Sequence, residues 1–201
     1  MNRLELGISY ARVAPGPAVP VTPQLSDGLV LLRPWRSEDV PELVECCVDD
    51  EIARWLDSVP QPYTDADAAE YVGRSVQWWR EGSFWSFAVT DAADGRLVGA
   101  MGLGWTDERT RVAEVGYWTR RDARGRGVAA RALRLVAGWA FAEVGVQRLQ
   151  LRAELGNDAS QRVAQKAGFT REGVLRSSGW SERRGQRLDF VVYSLLPDEL
   201  A

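Results

Sequence analysis

RRDARGRGVAARAL, residues 120–133, sets five arginines around two glycines at the point where a strand pattern gives way to a helical one. Before it, AEVGYWT (113–119) has strand character. After it, from Gly127 to Glu143, Val128, Ala132, Leu135, Val136, Trp139 and Ala140 recur at helical spacing, with Arg131 and Arg134 on the other face. Glycine lets a backbone turn tightly and come close to a ligand with no Cβ in the way. A helix that starts there presents unpaired N–H groups and the positive end of its dipole, which suits an anion, and arginines add charge-assisted donors. A diphosphate fits such a turn. Neither the G-x-x-x-x-G-K-[ST] loop nor the G-x-G-x-x-G fingerprint occurs here. On these residues alone, two readings stay open: a phosphate site, or an arginine-rich turn facing solvent.

The totals narrow the choice. At 201 residues the chain is long enough for one well-buried domain. Its formal net charge is −3 with a pI near 5.2, so the arginine cluster is local and the whole-protein basic field of a duplex binder is missing. No direct nucleic-acid contact is expected. The chain has no histidine, which excludes a Ser-His-Asp triad, a Cys-His pair and histidine metal ligands. A general base has to be a carboxylate, a lysine, a tyrosine, or water leading to one of them. Cys46 and Cys47 are adjacent within a helical pattern and cannot form an unstrained disulfide. The opening MNRLELGISYARVAPG lacks the apolar core of a secretory signal, and no apolar run is long enough to span a bilayer. A reducing cytoplasm and no membrane partner are expected.

Residues 1–28, with Pro15, Pro17, Pro20 and Pro23, read as an extended arm that offers contacts for a homodimer; residues 29–201 read as one domain. Strands are predicted at 29–35, 83–90, 97–106, 113–119, 148–155, 169–176 and 187–196. A helix after Ser37 places Val40, Leu43, Val44, Cys47 and Val48 inward. A second, opened by a Thr64–Asp67 capping box, does so with Ala68, Tyr71, Val72, Ser75, Val76 and Trp79. A short helix from about Asp158 to Ala167 is capped by Asn157 and stopped by Gly168. The order β-α-α-β-β-β-α-β-α-β-β describes a mixed α/β domain of about seven strands and four helices, without internal repeats.

Two motifs in sequence carry a family likeness. Arg124-Gly125-Arg126-Gly127-Val128-Ala129 has the form R-x-x-G-x-A, and N-x-x-S-x-x-V-A…G-F-x-x-E-G follows over Asn157–Gly173. Residues 29–196 thereby resemble the GNAT family of acyl-CoA-dependent N-acetyltransferases, in its RimJ/RimL-like branch, which acetylates protein N-terminal amines and has relatives acting on small amines. The likeness implies a mostly antiparallel sheet with two central parallel strands, 113–119 and 148–154, splayed apart. It implies acetyl-CoA as co-substrate: backbone of Tyr117, Trp118 and Thr119 along pantetheine, N–H groups of residues 124–129 on the diphosphate, and Asn157 and Ser160 beside the sulfur. The reaction is then direct attack by an uncharged amine in a ternary complex, the acceptor being a protein N-terminus or a small-molecule amine. A non-catalytic CoA-binding module, or an enzyme using succinyl-CoA or another acyl-CoA, are the alternatives.

Within that likeness Glu114 is the leading base, against an ion-paired glutamate at a sheet edge, and Ser160 a donor to the departing sulfur, against an ordinary first-turn serine. No metal is implied. Two positions depart from the family pattern: Ala164 stands where many members place a tyrosine acid, and Ser178-Gly179-Trp180 where some carry an acidic residue. Glu172 is expected to order the last hairpin. Trp78, Trp79, Trp85 and Trp139 fall on apolar faces and are expected in the core, whereas Trp55, Trp105 and Trp180 fall near acceptor-lining segments. The acidic excess between Asp49 and Glu81 suits a cationic acceptor, or is simply a solvated face.

Overall fold

The computed structural model describes residues 23–200. Of the expected arm, residues 1–22 lie outside the described part, and the remainder joins the sheet. Leu25–Ser26 (β1) pairs with Val30–Arg33 (β2) around a turn in which Asp27 Oδ1 accepts the N–H groups of Leu29 and Val30, each at 3.0 Å. Two helices follow, Val40–Cys47 (α1) and Asp50–Trp55 (α2). The second was not expected from the sequence: Asp49 ends the first pattern and caps the next by accepting Glu51 N–H at 3.0 Å.

The third helix, Asp65–Glu81 (α3), begins with the predicted capping box, in which Asp67 N–H donates to Thr64 Oγ1 at 3.3 Å and Thr64 N–H to Asp67 Oδ2 at 2.9 Å. It buries Ala68, Tyr71, Val72, Ser75, Trp78 and Trp79, while Val76 faces solvent, a small rotation from the predicted face. In α1, Leu43, Cys46 and Cys47 are buried and Val48 is exposed, because the helix stops one residue before it.

Phe84–Asp91 (β3), Leu97–Asp107 (β4) and Val112–Thr119 (β5) form an antiparallel meander. Val128–Trp139 (α4) crosses the sheet to Arg148–Glu154 (β6), and Asp158–Lys166 (α5) leads to the hairpin Thr170–Ser181 (β7) and Gln186–Leu195 (β8). The sheet has eight strands in the order β1-β2-β3-β4-β5-β6-β8-β7, with one parallel pair, β5 and β6. Among the described residues there are thus five α-helices where four were predicted and eight strands where seven were, and β7, at 12 residues, runs five residues past the predicted end at 176.

The core lies on both faces. Trp79, Phe87, Trp85, Trp105 and Trp139 interlock edge-on beneath α4, with Trp79–Phe87 centroids 5.0 Å apart and Phe87–Trp139 5.4 Å apart. Such pairs add about 0.5–1.5 kcal/mol each to the area they bury. Trp105 is therefore core and not, as its sequence neighbourhood suggested, near the acceptor. On the opposite face Trp35, Tyr71, Trp78, Phe84 and Trp118 pack together, and the Ser86 hydroxyl bonds both Trp35 Nε1 (2.8 Å) and Tyr71 (2.7 Å). The thiols of Cys46 and Cys47 are free and buried. No helix among the described residues is long and apolar enough to cross a membrane.

Candidate active site

The parallel pairing of β5 with β6 lasts three residues, Val112 with Arg148, Ala113 with Leu149 and Glu114 with Gln150, and then stops. Each strand keeps its outer neighbour: β5 stays on β4 as far as Thr119, and β6 on β8 as far as Glu154. The inner edges of Val115–Thr119 and Leu151–Glu154 are left without a strand partner. Backbone N–H and C=O groups do not go unbonded cheaply, so such an edge suits an extended ligand arm. Between them opens a cavity of about 420 Å³, lined also by α2, the starts of α4 and α5, and the β7–β8 hairpin.

The loop from Arg120 forms the floor. A single helical turn at Arg121–Ala123 reverses the chain, and Gly125 (φ 74°) and Gly127 (φ 81°) both adopt the left-handed conformation that disfavours other residues. Gly127 caps α4 with no side-chain hydrogen bond, so the N–H groups of its first turn are uncapped and open toward the cavity. A Cβ added at Gly125 or Gly127 would meet nothing within 4 Å. This cradle fits a diphosphate. The arginines behave differently from expectation, because every one is tied to a carboxylate. Arg120 pairs with Glu45 (3.1 Å), Glu42 (3.7 Å) and Asp122 (3.5 Å), Arg121 with Asp49 (3.6 Å), Arg126 with Asp91 (3.8 Å) and Arg131 with Asp27 (2.8 Å). Arg124 pairs with Asp49 and donates to Thr119 O at 3.0 Å. The cluster staples the loop to its neighbours, and the donors it leaves toward the cavity are the backbone N–H groups at the start of α4.

Of the predicted site residues, Glu114, Tyr117, Trp118, Thr119, Arg124, Gly125, Gly127, Val128, Ala129, Asn157 and Ser160 line this one cavity. Arg126 does not; its side chain turns outward to Asp91. Glu114 is 4% exposed, and its Oε2 accepts from Arg152 Nε at 2.9 Å and Gln150 Nε2 at 3.0 Å. Burial pushes its carboxyl above the ordinary glutamate range, against the pull of Arg152 and Gln150. It is both ion-paired and in the cleft. Asn157 Oδ1 caps α5 by accepting Ser160 N–H at 3.0 Å, and the Ser160 hydroxyl lies 3.0 Å from the phenol of Tyr117 across the splay. Glu172, by contrast, sits outside the cavity and ties the hairpin together, accepting from Arg148 Nη1 at 2.8 Å and Ser194 Oγ at 2.7 Å.

At the other end, α2 meets the hairpin. Arg183 donates to Ala53 O and to Val59 O, the latter at 2.7 Å, and Arg184 grips Glu154 at 2.7 and 2.9 Å. Trp55, Leu56, Asp57, Trp180 and Phe190 form the wall there, and Asp57 Oδ2 is buried without a hydrogen-bond partner among the described residues. Asp57 belongs to the acidic stretch between Asp49 and Glu81 singled out in the sequence, whereas Gln150, Arg152, Glu154 and Arg184 were not anticipated. The alternation of RLQLRAEL already put 150, 152 and 154 on one face opposite the core, and that was the available signal.

Comparison with known proteins fits this geometry. The acetyltransferase (GNAT) domain profile matches residues 30–170. YdaF of Bacillus subtilis (strain 168), provisionally named a ribosomal N-acetyltransferase, is 29% identical over 85% of this chain and 92% of its own. Mycobacterium smegmatis RimJ, solved with a CoA-disulfide, is 23% identical and superposes with a TM-score of 0.77 over 92% of this chain and 91% of that one. RimL, the ribosomal L7/L12 α-N-protein acetyltransferase solved with coenzyme A, is 18% identical with a TM-score of 0.77 over 87% of this chain and 97% of that one. With its relatives and structural neighbours of the RimJ/RimL kind, the chain belongs to the GNAT family and is an acetyltransferase.

Proposed function

We propose that this enzyme transfers an acetyl group from acetyl-CoA to the primary amine of a protein N-terminus or a small molecule, by direct attack within a ternary complex. The observation that carries the proposal is the splay itself. It gives one cavity an uncapped helix start at one end, a buried carboxylate and a hydroxyl at its middle, and an acid-rich aromatic wall at the other. Acetyl-CoA is the co-substrate and supplies the activated acyl group. The N–H groups of residues 125–129 hold its diphosphate, and the free edge at Tyr117–Thr119 pairs with its pantetheine. Asn157 fixes the first turn of α5 beside it.

Glu114 takes the ammonium proton, directly or through water, so that the amine enters the reaction uncharged. Arg152 and Gln150 keep that carboxylate in place. The Ser160 hydroxyl donates toward the departing sulfur. Asp57, with its unpaired buried oxygen, favours a cationic acceptor. A protein acceptor follows the names of RimL and of YdaF. Free thiols at Cys46 and Cys47 agree with action in a reducing cytoplasm.

The test is a matrix of acyl-CoA donors against amines, read by thiol release and by the mass of the acceptor. Acetyl-CoA should be the preferred donor, and peptides with free N-termini or small amines should gain one acetyl group. Binding of CoA without transfer to any amine would establish a non-catalytic module instead. Preference for succinyl-CoA would correct the donor alone.

A further inference from the structure

We infer that the side chain of Tyr117 is a positioning residue for the proposed transfer: by donating its phenol proton to Ser160 Oγ, it turns the serine hydroxyl into a donor directed into the cavity. This rests on the function proposed above and adds to it a residue expected to contribute only its backbone.

Ser160 is held at three points. Its N–H goes to Asn157 Oδ1 at 3.0 Å, its Oγ lies 3.0 Å from Tyr117 Oη, and its carbonyl lies a longer 3.4 Å from the same phenol. A phenol has one proton, and the shorter contact is the better acceptor for it. Burial pushes the Tyr117 hydroxyl up to about 12, so it stays protonated at any working pH and remains a donor. With Oγ accepting from Tyr117, the serine's own hydrogen has to point elsewhere, and the cavity is the side left open. No other residue of α5 carries a hydroxyl, since Ala164, one turn on, is a buried methyl group. The charged side chains lining the cavity around this pair are Glu114 and Arg152, which bond each other, with Arg162 and Lys166 on α5.

In the reaction Ser160 O–H hydrogen-bonds the sulfur that keeps the electron pair of the broken carbon–sulfur bond. Tyr117 retains its proton throughout, and water supplies the proton that completes the thiol.

Free CoA offers a readout besides turnover. A donor at Ser160 stabilises the bound thiolate, so the thiol of CoA in the complex, followed by its ultraviolet thiolate absorbance, should titrate lower than in solution. Tyr117→Phe keeps the ring and should raise that bound thiol pKa by about one unit. Ser160→Ala should raise it equally, and the double variant no further. The kcat should fall about tenfold in Tyr117→Phe with the KM for acetyl-CoA unchanged, and not at all when Tyr117→Phe is added to Ser160→Ala. An unshifted thiol in Tyr117→Phe, or additive losses in the double variant, would overturn the inference. Wild-type enzyme that binds CoA but acetylates no amine would overturn the proposed function, and the thiol titration would still decide the role of Tyr117.

Discussion

Glu114 faces a demand that follows from amine chemistry. A primary amine with a pKa of about 8–10 is mostly protonated at neutral pH and cannot attack until a base removes a proton. An ordinary glutamate is a poor match, and burial improves it by raising the carboxyl, while Arg152 keeps the rise in check. The sign for activity follows. The base form exists above the carboxyl pKa, so kcat/KM should rise with pH through a value above the ordinary glutamate range, before the acceptor's own titration adds a second rise. Glu114→Gln preserves shape and hydrogen bonding but not basicity; kcat at pH 7 should drop about 10²-fold with acetyl-CoA affinity little changed, and the deficit should shrink at high pH. Near-normal kcat with chemistry rate-limiting would make Glu114 structural. Glu114, Asn157 and Ser160 could be picked from the sequence because motif spacing locates them. Arg152 could not, because alternation tells which face a residue occupies and says nothing of what stands opposite.

At the scale of elements, the loop–α4 junction was legible because glycines punctuate it, whereas α2 was hidden by brevity. Its six residues continue the apolar rhythm of α1, and only the cap at Asp49 separates them. That aspartate does double duty, capping α2 and pairing with Arg121 and Arg124 of the loop. Asp49→Ala should cost about 1 kcal/mol and speed amide exchange selectively within Asp50–Trp55; uniform exchange would mean that α2 is held by packing alone. The loop has its own pair of variants. Any residue at Gly127 is strained by its φ of 81°, so Gly127→Gln and Gly127→Glu share that strain and differ by a charge. Two like charges about 4 Å apart at an effective dielectric constant near 20 repel by about 4 kcal/mol before screening. Gly127→Glu should therefore bind acetyl-CoA at least tenfold more weakly than Gly127→Gln by calorimetry, and equal affinities would remove the diphosphate from this helix start.

For the molecule as a whole, periodicity supplied seven of the eight strands but not their neighbours. The insertion of β8 between β6 and β7 is decided by long-range pairing that no local pattern encodes. Charge distribution was equally invisible as a total, since a net −3 conceals an uneven cavity. Toward α2 and the hairpin the lining carries Glu51, Asp57, Glu114 and Glu154 against Arg152 and Arg184, while Arg124, Arg162 and Lys166 stand by the loop and α5. The Glu114–Arg152 and Glu154–Arg184 pairs are internally compensated and Glu51 has Arg54 at 3.7 Å, leaving Asp57, with its buried unbonded oxygen, to favour a positive acceptor. Attraction of this kind reaches over a Debye length, about 10 Å at 0.1 M salt and about 3 Å at 1 M. Raising the salt should therefore raise the KM of peptides with basic side chains near the reacting amine several-fold more than that of neutral peptides of equal length. Asp57→Asn should reduce that difference while leaving the KM for acetyl-CoA alone. If basic and neutral acceptors respond equally to salt, the acidic wall plays no part in recruiting substrate, and selection among amines rests on the shape set by Trp55, Trp180 and Phe190.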